Sequence, residues 1–203
     1  MNPKFKNYIK HLNHALNGIN ANDIDKLKNL FLKKMDGNGE IIVIGNGGSA
    51  ANAHHIVGDY TKTFALYNKK LRISCPADNG CYLSAVSNDL DFSEAYEILV
   101  SSRINKEDLL IFLSGSGNSS NLVKAALAAK EKSVETVSIT AYNGGYLKKI
   151  STHHIHVPVD DMEMAEDAQL VIFHFVKQAL TENMESVLSM VKYNKRVSSG
   201  EVV

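Results

Sequence analysis

The sequence predicts an α/β domain of three layers, a five-stranded parallel sheet flanked by helices and preceded by a long N-terminal helix. Three observations carry this expectation. Strand-sized apolar runs alternate with stretches of helical composition, the pattern of βαβ units. Two Gly/Ser-rich segments each follow one of those runs directly. The length of 203 residues suits one such domain and is short for two ordinary ones.

The elements follow in order along the chain. Phe5–Met35 reads as helix from the spacing of Ile9, Leu12, Leu16 and Ile19, with Asn-rich breaks around Asn20–Asn22. Asp36–Gly39 is a turn. Glu40–Ile44 is short and β-branched, as a strand buried on both faces should be. Ala50–Phe64 returns to helical composition, and Leu71–Cys75 is the second strand. Asp78–Val86 and Ser93–Ser102 look helical. Asp108–Leu113 is the third strand and Asn121–Glu131 the helix after it. Val134–Thr140 is the fourth strand, Gly144–Ile150 a short helix, and His154–Val157 the fifth strand. Met162–Leu180 is a long helix, and Glu182–Val191 continues or restarts it. The expected organisation is an oligomerisation helix over 1–36, the sheet domain over 37–193 and a frayed tail over 194–203.

Composition excludes several functions. Lys plus Arg and Asp plus Glu are both 22, so nothing marks the chain for nucleic acid or an anionic membrane. The apolar runs fall far short of the ~20 residues that span a bilayer, and Met1–Leu12 lacks the apolar stretch of a signal peptide. Cys75 and Cys81 fit neither a zinc ribbon nor a disulfide framework. They read as reduced thiols of a cytoplasmic protein.

Polar residues gather just after the first, third and fourth strands, and ligands of open parallel sheets bind outside the carboxyl ends of strands. Ser114-Gly115-Ser116-Gly117-Asn118-Ser119 joins a strand to a helix. Its glycines let backbone N–H groups approach an anion, its hydroxyls add uncharged donors, and the helix N-terminus adds partial positive charge. Gly45-Asn46-Gly47-Gly48-Ser49 sits likewise between strand and helix. It fails the dinucleotide spacing, with Ala50 where the third glycine belongs, and it lacks the Gly-Lys-Ser/Thr ending of a P-loop. Two such loops without a basic residue favour a phosphorylated ligand rich in hydroxyls over a nucleotide.

The stretch Ile42–Ala53, the triplet Ser87-Asn88-Asp89 and the segment Leu113–Ser119 together resemble the phosphoheptose isomerase family, built on the sugar isomerase (SIS) domain. The resemblance runs from about Phe5 to Leu180. It implies that Asn46, Gly47, Gly48 and Ser49 line the sugar, that Asn88 and Asp89 contact its hydroxyls, and that Ser114, Ser116 and Ser119 hold the phosphate. Gly115 fills a slot where the family uses Thr, which keeps the backbone N–H and loses one hydroxyl.

His55 and Asp59 are four apart on one helix, hence on one face. Glu166 and His174 are eight apart on the last helix, about 12 Å of axial rise, and must lean together to share a ligand. Asp167 is a competing candidate. The resemblance implies that His55, Asp59, Glu166 and His174 hold Zn²⁺, at positions where the family has His, Glu, Gln and His. It also makes Asp59 and His174 the base and acid, with Glu166 as alternative base and substrate contact. The N/O set suits Zn²⁺ and also Mn²⁺ or Fe²⁺. With no metal bound, adjacent carboxylates are expected to raise a pKa in the pair. His54 points about 100° away and has no ligand partner. His154 and His156 share one face of the last strand, read as a solvent-facing edge, with a second metal site as the alternative.

The expected activity is that of an aldose–ketose isomerase converting sedoheptulose 7-phosphate to D-glycero-D-manno-heptose 7-phosphate through an enediol. The rivals are an isomerase for another sugar phosphate and a non-catalytic binding or scaffold protein of the same fold. The resemblance also implies a homotetramer with sites shared between subunits. The apolar face of the N-terminal helix points the same way, since a small sheet domain does not need it for itself.

Overall fold

The structure, a computed structural model, describes residues 2–185, 194–196 and 198. Five strands form one parallel sheet in the order β2-β1-β3-β4-β5. They are β1 (Ile41–Gly45), β2 (Ile73–Ser74), β3 (Leu109–Ser114), β4 (Glu135–Thr140) and β5 (His153–His156). The eight α-helices among the described residues are α1 (Pro3–Asn17), α2 (Ala21–Asp36), α3 (Gly47–Leu66), α4 (Gly80–Asp89), α5 (Ala95–Arg103), α6 (Ser120–Glu131), α7 (Leu147–Ile150) and α8 (Met162–Thr181).

Strand alternation divides the core into two layers. Ile41, Val43, Leu109, Ile111, Leu113, Val137 and Ile139 face a cluster built with α2, α3 and α8. Ile42, Ile44, Leu110 and Phe112 face a second cluster with α5 and α6. Both faces are covered, which is why β1 and β3 are buried at every position and read as continuous apolar runs. The strand order reverses between β1 and β3, whose last residues Gly45 and Leu113 are paired. The two glycine loops therefore leave the sheet side by side at the switch point, where a parallel sheet presents its ligand crevice.

The N-terminal helix is two helices. Asn20 caps α2, its side chain accepting from the Asn22 N–H at 3.0 Å, and Gly18 ends α1. The expected boundary at residue 36 does not separate packing units. Phe31 of α2 is fully buried and lies 5.2 Å from the Tyr60 ring and 6.3 Å from the Phe173 ring. The buried Lys34 donates to the carbonyls of Glu107 (2.6 Å) and Asp108 (3.2 Å), fastening α2 beneath β3. The strand expected over Leu71–Cys75 shrinks to two residues, because only Ile73 and Ser74 pair with β1. Helix α8 ends at Thr181 and a turn follows, so Glu182–Met184 do not continue it. The rest of the expected extension to Val191 and most of the 194–203 tail lie outside the described residues.

On the edge strand β5, His154 and His156 do share a face, but that face is half-buried. Their rings stack with centroids 5.8 Å apart. His154 Nε2 bonds Thr140 Oγ1 at 2.8 Å and His156 Nε2 bonds the Tyr142 carbonyl at 2.8 Å. One ring nitrogen of each, Nε2, is thereby spent on the fold. Burial pushes the His154 pKa down to about 4, helped by Lys148 and His156. A pKa lowered by folding gives stability that is complete above the unfolded value and is lost as pH falls toward the folded one. Urea unfolding at pH 7 and pH 4 should show roughly 1–2 kcal/mol of acid destabilisation from this residue, after allowing for solvent screening. His154→Gln should remove that share, so an unchanged pH slope in the variant would count against the burial of a neutral imidazole.

Candidate functional site

The first glycine loop continues through Asn46, which precedes α3 without capping it through its side chain. Its amide instead exchanges two hydrogen bonds with Asn121 of α6, each 2.9 Å. This clasp ties the first glycine loop to the helix that follows the second. Gly47 has φ +52°, a left-handed turn that glycine adopts without strain. Gly48 lies under Glu166, whose carboxylate a Cβ would overlap. Ser49 turns inward. It is 3% exposed, and its hydroxyl accepts from Gln169 Nε2 at 3.1 Å. The ligand face of this loop is thus glycine backbone with the Asn46 and Glu166 side chains beside it.

In the second loop Ser114 is buried and its Oγ accepts from the Gly117 N–H at 3.1 Å. Ser116 Oγ accepts from the Asn118 N–H at 3.2 Å. Gly117, at φ +65°, closes the turn where a Cβ would collide with the Gly144 carbonyl. Ser119 precedes α6 and makes no capping bond with its side chain, so its hydroxyl is available to a ligand. Of the three serines expected to hold phosphate, Ser114 shapes the turn, while Ser116 and Ser119 remain half-exposed. A cavity of about 560 Å³ opens beside them, lined by Ser116, Asn118, Tyr142, Asn143, Asp160 and Met162. Asn88 and Asp89 sit exposed at the end of α4. Asn88 Nδ2 donates to Asp89 Oδ1 at 2.7 Å, and among the described residues no hydrogen bond joins the pair to either loop.

The chemistry-bearing side chains meet where α3 packs on α8. Asn52 Nδ2 donates to the Glu166 carbonyl (2.9 Å) and to Gln169 Oε1 (3.0 Å). The buried Tyr60 hydroxyl donates to the Phe173 carbonyl at 2.7 Å. Those contacts place His55 Nε2 3.0 Å from His174 Nε2, with the rings edge to face. Ligand atoms of His55, Asp59 and His174 all lie within 4.8 Å of one another, the one metal-sized group of three among the described residues. Two nitrogens bound to one zinc at about 2.0–2.1 Å stand about 3.3 Å apart in tetrahedral geometry. The donors present therefore fit a divalent metal with small adjustments.

Glu166 is outside this group. Eight residues of straight helix carry it about 12 Å from His174, and its side chain turns to the space that Gly48 leaves open. Of the four residues expected to hold metal, His55, Asp59 and His174 come together, and Glu166 lies against Gly48. Asp167 is committed elsewhere, accepting from the Tyr8 hydroxyl at 2.6 Å and so tying α1 to α8. His54 is exposed and outside the group.

Sequence reasoning overlooked Lys177, three residues beyond His174 on the same face of α8, which donates to Asp59 Oδ2. Burial raises the Asp59 pKa, and the hydrogen bond and charge of Lys177 more than offset this, so the carboxyl sits below its ordinary value. The expected rise from paired carboxylates is not found, because the neighbour of Asp59 is an ammonium. Burial lowers the His174 pKa, and His55 and Lys177 push it the same way, which favours the neutral imidazole a metal requires.

Met162 was also missed. Its thioether fills the space beside Gly115, where a Cβ would collide with it. Gly115→Thr alone should destabilise the loop by about 1–3 kcal/mol through overpacking. Adding Met162→Ala should recover most of that loss, as thermal melting of the single and double variants would show.

The comparisons agree with this architecture. The SIS domain family profile matches residues 4–141. A phosphoheptose isomerase of Helicobacter pylori strain P12 is 33% identical over 147 residues, covering 72% of this chain and 77% of that protein. Phosphoheptose isomerase 1 of Campylobacter jejuni is 30% identical over 160 residues, covering 79% and 86%. In fold, the phosphoheptose isomerase GmhA from Neisseria gonorrhoeae superposes with a TM-score of 0.80 at 22% identity, over 88% of this chain and 97% of that one. The sugar isomerase domain of an RpiR transcription factor from Sphaerobacter thermophilus gives 0.65 at 18% identity, over 96% of each chain. By its sheet, its paired glycine loops and its relatives, the chain belongs to the phosphoheptose isomerase family of SIS-domain proteins.

Proposed function

We propose that this enzyme, a sugar-phosphate isomerase by its family, interconverts sedoheptulose 7-phosphate and D-glycero-D-manno-heptose 7-phosphate. The single observation that carries the reading is the placement of His55, Asp59 and His174 together on α3 and α8, each of which begins beside one of the loops. Helix α3 begins at the sugar loop, and Met162 at the start of α8 packs on Gly115 of the phosphate loop.

In this reading Ser116, Ser119 and the loop N–H groups anchor the phosphate, with Ser114 holding the turn. Binding energy from that remote group positions the reacting end of the sugar. Asn46, the Gly47–Gly48 backbone and Glu166 line the sugar, and Asn88 and Asp89 approach its hydroxyls. Asp59, kept ionised by Lys177, takes the proton from C1 of the ketose. The C–H electron pair becomes the C1–C2 double bond, and the carbonyl pair moves onto O2. His174 gives a proton to O2 and takes one from O1 as the proton returns at C2. The ketone becomes an aldehyde with no net change in atoms or electrons. Bound Zn²⁺ supplies a Lewis acid that polarises the carbonyl. His55, Asp59 and His174 would hold it. Glu166, at the sugar loop, is the alternative base when Asp59 is committed to metal.

Asp59→Asn or Glu166→Gln should lower kcat on sedoheptulose 7-phosphate by about 100-fold or more, the usual worth of a positioned acid or base. If both leave turnover near wild type, the acid–base assignment is wrong. Heptulose, hexulose and pentulose phosphates assayed together decide the substrate, since the pairing of Gly115 with Met162 favours a site with one hydroxyl fewer. No turnover on any of them would move the reading to a binding protein. Elemental analysis of the same sample decides the metal.

The assembly belongs to the proposal too. Phe5 and Ile9 of α1, Val171 and Phe175 of α8, and Leu90 and Phe92 after α4 are all exposed, Phe175 by 55%. A second copy covering these side chains would give a homotetramer with sites at subunit interfaces. His55 and Asp59 lie about 12 and 18 Å of axial rise beyond Gly47, so a neighbour's loops could complete each site. Gel filtration at the 22.3 kDa of one chain would contradict this. Cytoplasmic residence is proposed from the two unpaired thiols, Cys75 buried and Cys81 exposed. No helix among the described residues is long and apolar enough to cross a membrane.

A further inference from the structure

We infer that Lys177 is a resident cation that competes with the divalent metal for Asp59 and so sets the metal affinity of the site. The inference rests on the reading of His55, Asp59 and His174 as a metal site, and not on the identity of the sugar.

The Asp59 carboxylate is 14% exposed and is engaged through both oxygens. Oδ2 accepts from Lys177 Nζ, and Oδ1 lies 3.8 Å from Lys62 Nζ. The two lysines are not equivalent. The Lys177 side chain is 20% exposed and comes from α8, alongside His174, whereas Lys62 is 55% exposed and belongs to the same helix as Asp59. A part-buried pair is weakly screened, and separating it leaves a charge poorly solvated. An exposed i,i+3 pair is worth only a few tenths of a kcal/mol.

The imidazoles are already close to a shared coordination distance, with Nε2 atoms 3.0 Å apart. The carboxylate is the ligand whose geometry is contested. A metal that takes Asp59 must displace an ammonium and then tolerate it one helical turn from His174. Removing the ammonium frees the carboxylate and removes like-charge repulsion, and both changes favour the metal.

The test is titration of the full-length, metal-stripped protein with Co²⁺, followed by its visible absorption and by calorimetry, for wild type, Lys177→Met, Lys177→Gln and Lys62→Gln. Both Lys177 variants should bind Co²⁺ at least about tenfold tighter than wild type, and Lys62→Gln less than about threefold. In an Asp59→Asn background, Lys177→Met should tighten Co²⁺ binding clearly less, because the contested ligand is gone and only the like-charge repulsion is relieved. Circular dichroism and melting identify the folded variants, and either Lys177 variant suffices. Unchanged or weaker Co²⁺ binding in a folded Lys177 variant would overturn the inference, as would equal tightening with Asp59 removed or no Co²⁺ binding by any variant. Tightening without isomerase activity would sustain it and remove only the proposed reaction.

Discussion

The register of α8 against α3 is the constraint on which the site depends. Three polar side chains fix it from inside the protein: Asn52, Gln169 and Tyr60 bond across the helix pair, all of them buried. An unmade hydrogen bond at such a place costs about 1–3 kcal/mol, so a slip of one residue is strongly opposed. The partners advance together along both helices, from Gly48 with Glu166 to Asn52 with Gln169, His55 with His174 and Asp59 with Lys177. The helices therefore run in the same direction, as they must when each follows a strand of a parallel sheet. The aromatic cluster of Phe31, Tyr60, Phe64 and Phe173 supplies the apolar packing behind this pair.

A second fastening joins the loops. The Asn46–Asn121 clasp ties the first glycine loop to the helix that follows the second. Ser114 and Ser49, both expected to touch ligand, make bonds within the scaffold. One closes the second loop and the other receives Gln169. Hydroxyl side chains next to glycines meet two demands in such loops, since backbone N–H groups bent away from helix or sheet also need acceptors. The electrostatics of the α3–α8 cleft follow the same economy. Lys177 keeps Asp59 ionised, while burial, with Lys177 nearby, favours neutral His174.

The fold was legible because its signals are local. Buried parallel strands need apolar residues on both faces, so β1 and β3 declared themselves as unbroken runs. The glycine loops declared themselves by falling between strand and helix. The division of the N-terminal helix at Gly18–Asn20 was visible only as an Asn-rich break, and the place of Phe31 in the central core was not visible at all. Short β2 was overestimated, since only Ile73 and Ser74 pair with β1, although the Arg72 carbonyl still accepts from the Ile41 N–H at 2.8 Å. The histidines of β5 alternate as expected, but the sequence does not say that Thr140 and the Tyr142 carbonyl meet them.

For the site, spacing alone determined that His55 and Asp59 share one helical face, that two glycine loops each join a strand to a helix, and that neither loop is a nucleotide motif. It could not decide which residues of α8 come opposite that face, because helix register is set by side chains far apart in the chain. That is why spacing does not show that Glu166 lies over Gly48, 118 positions earlier, or that Asp167 is held by Tyr8. For the same reason Lys177 passed unnoticed. A lysine on a helix reads as solvated surface until the tertiary structure brings a part-buried carboxylate to it. The sequence determined the family and the pair of glycine loops that mark it. Only the packing of α8 on α3 decided which charges stand beside the reacting groups, because that depends on contacts between segments more than a hundred residues apart.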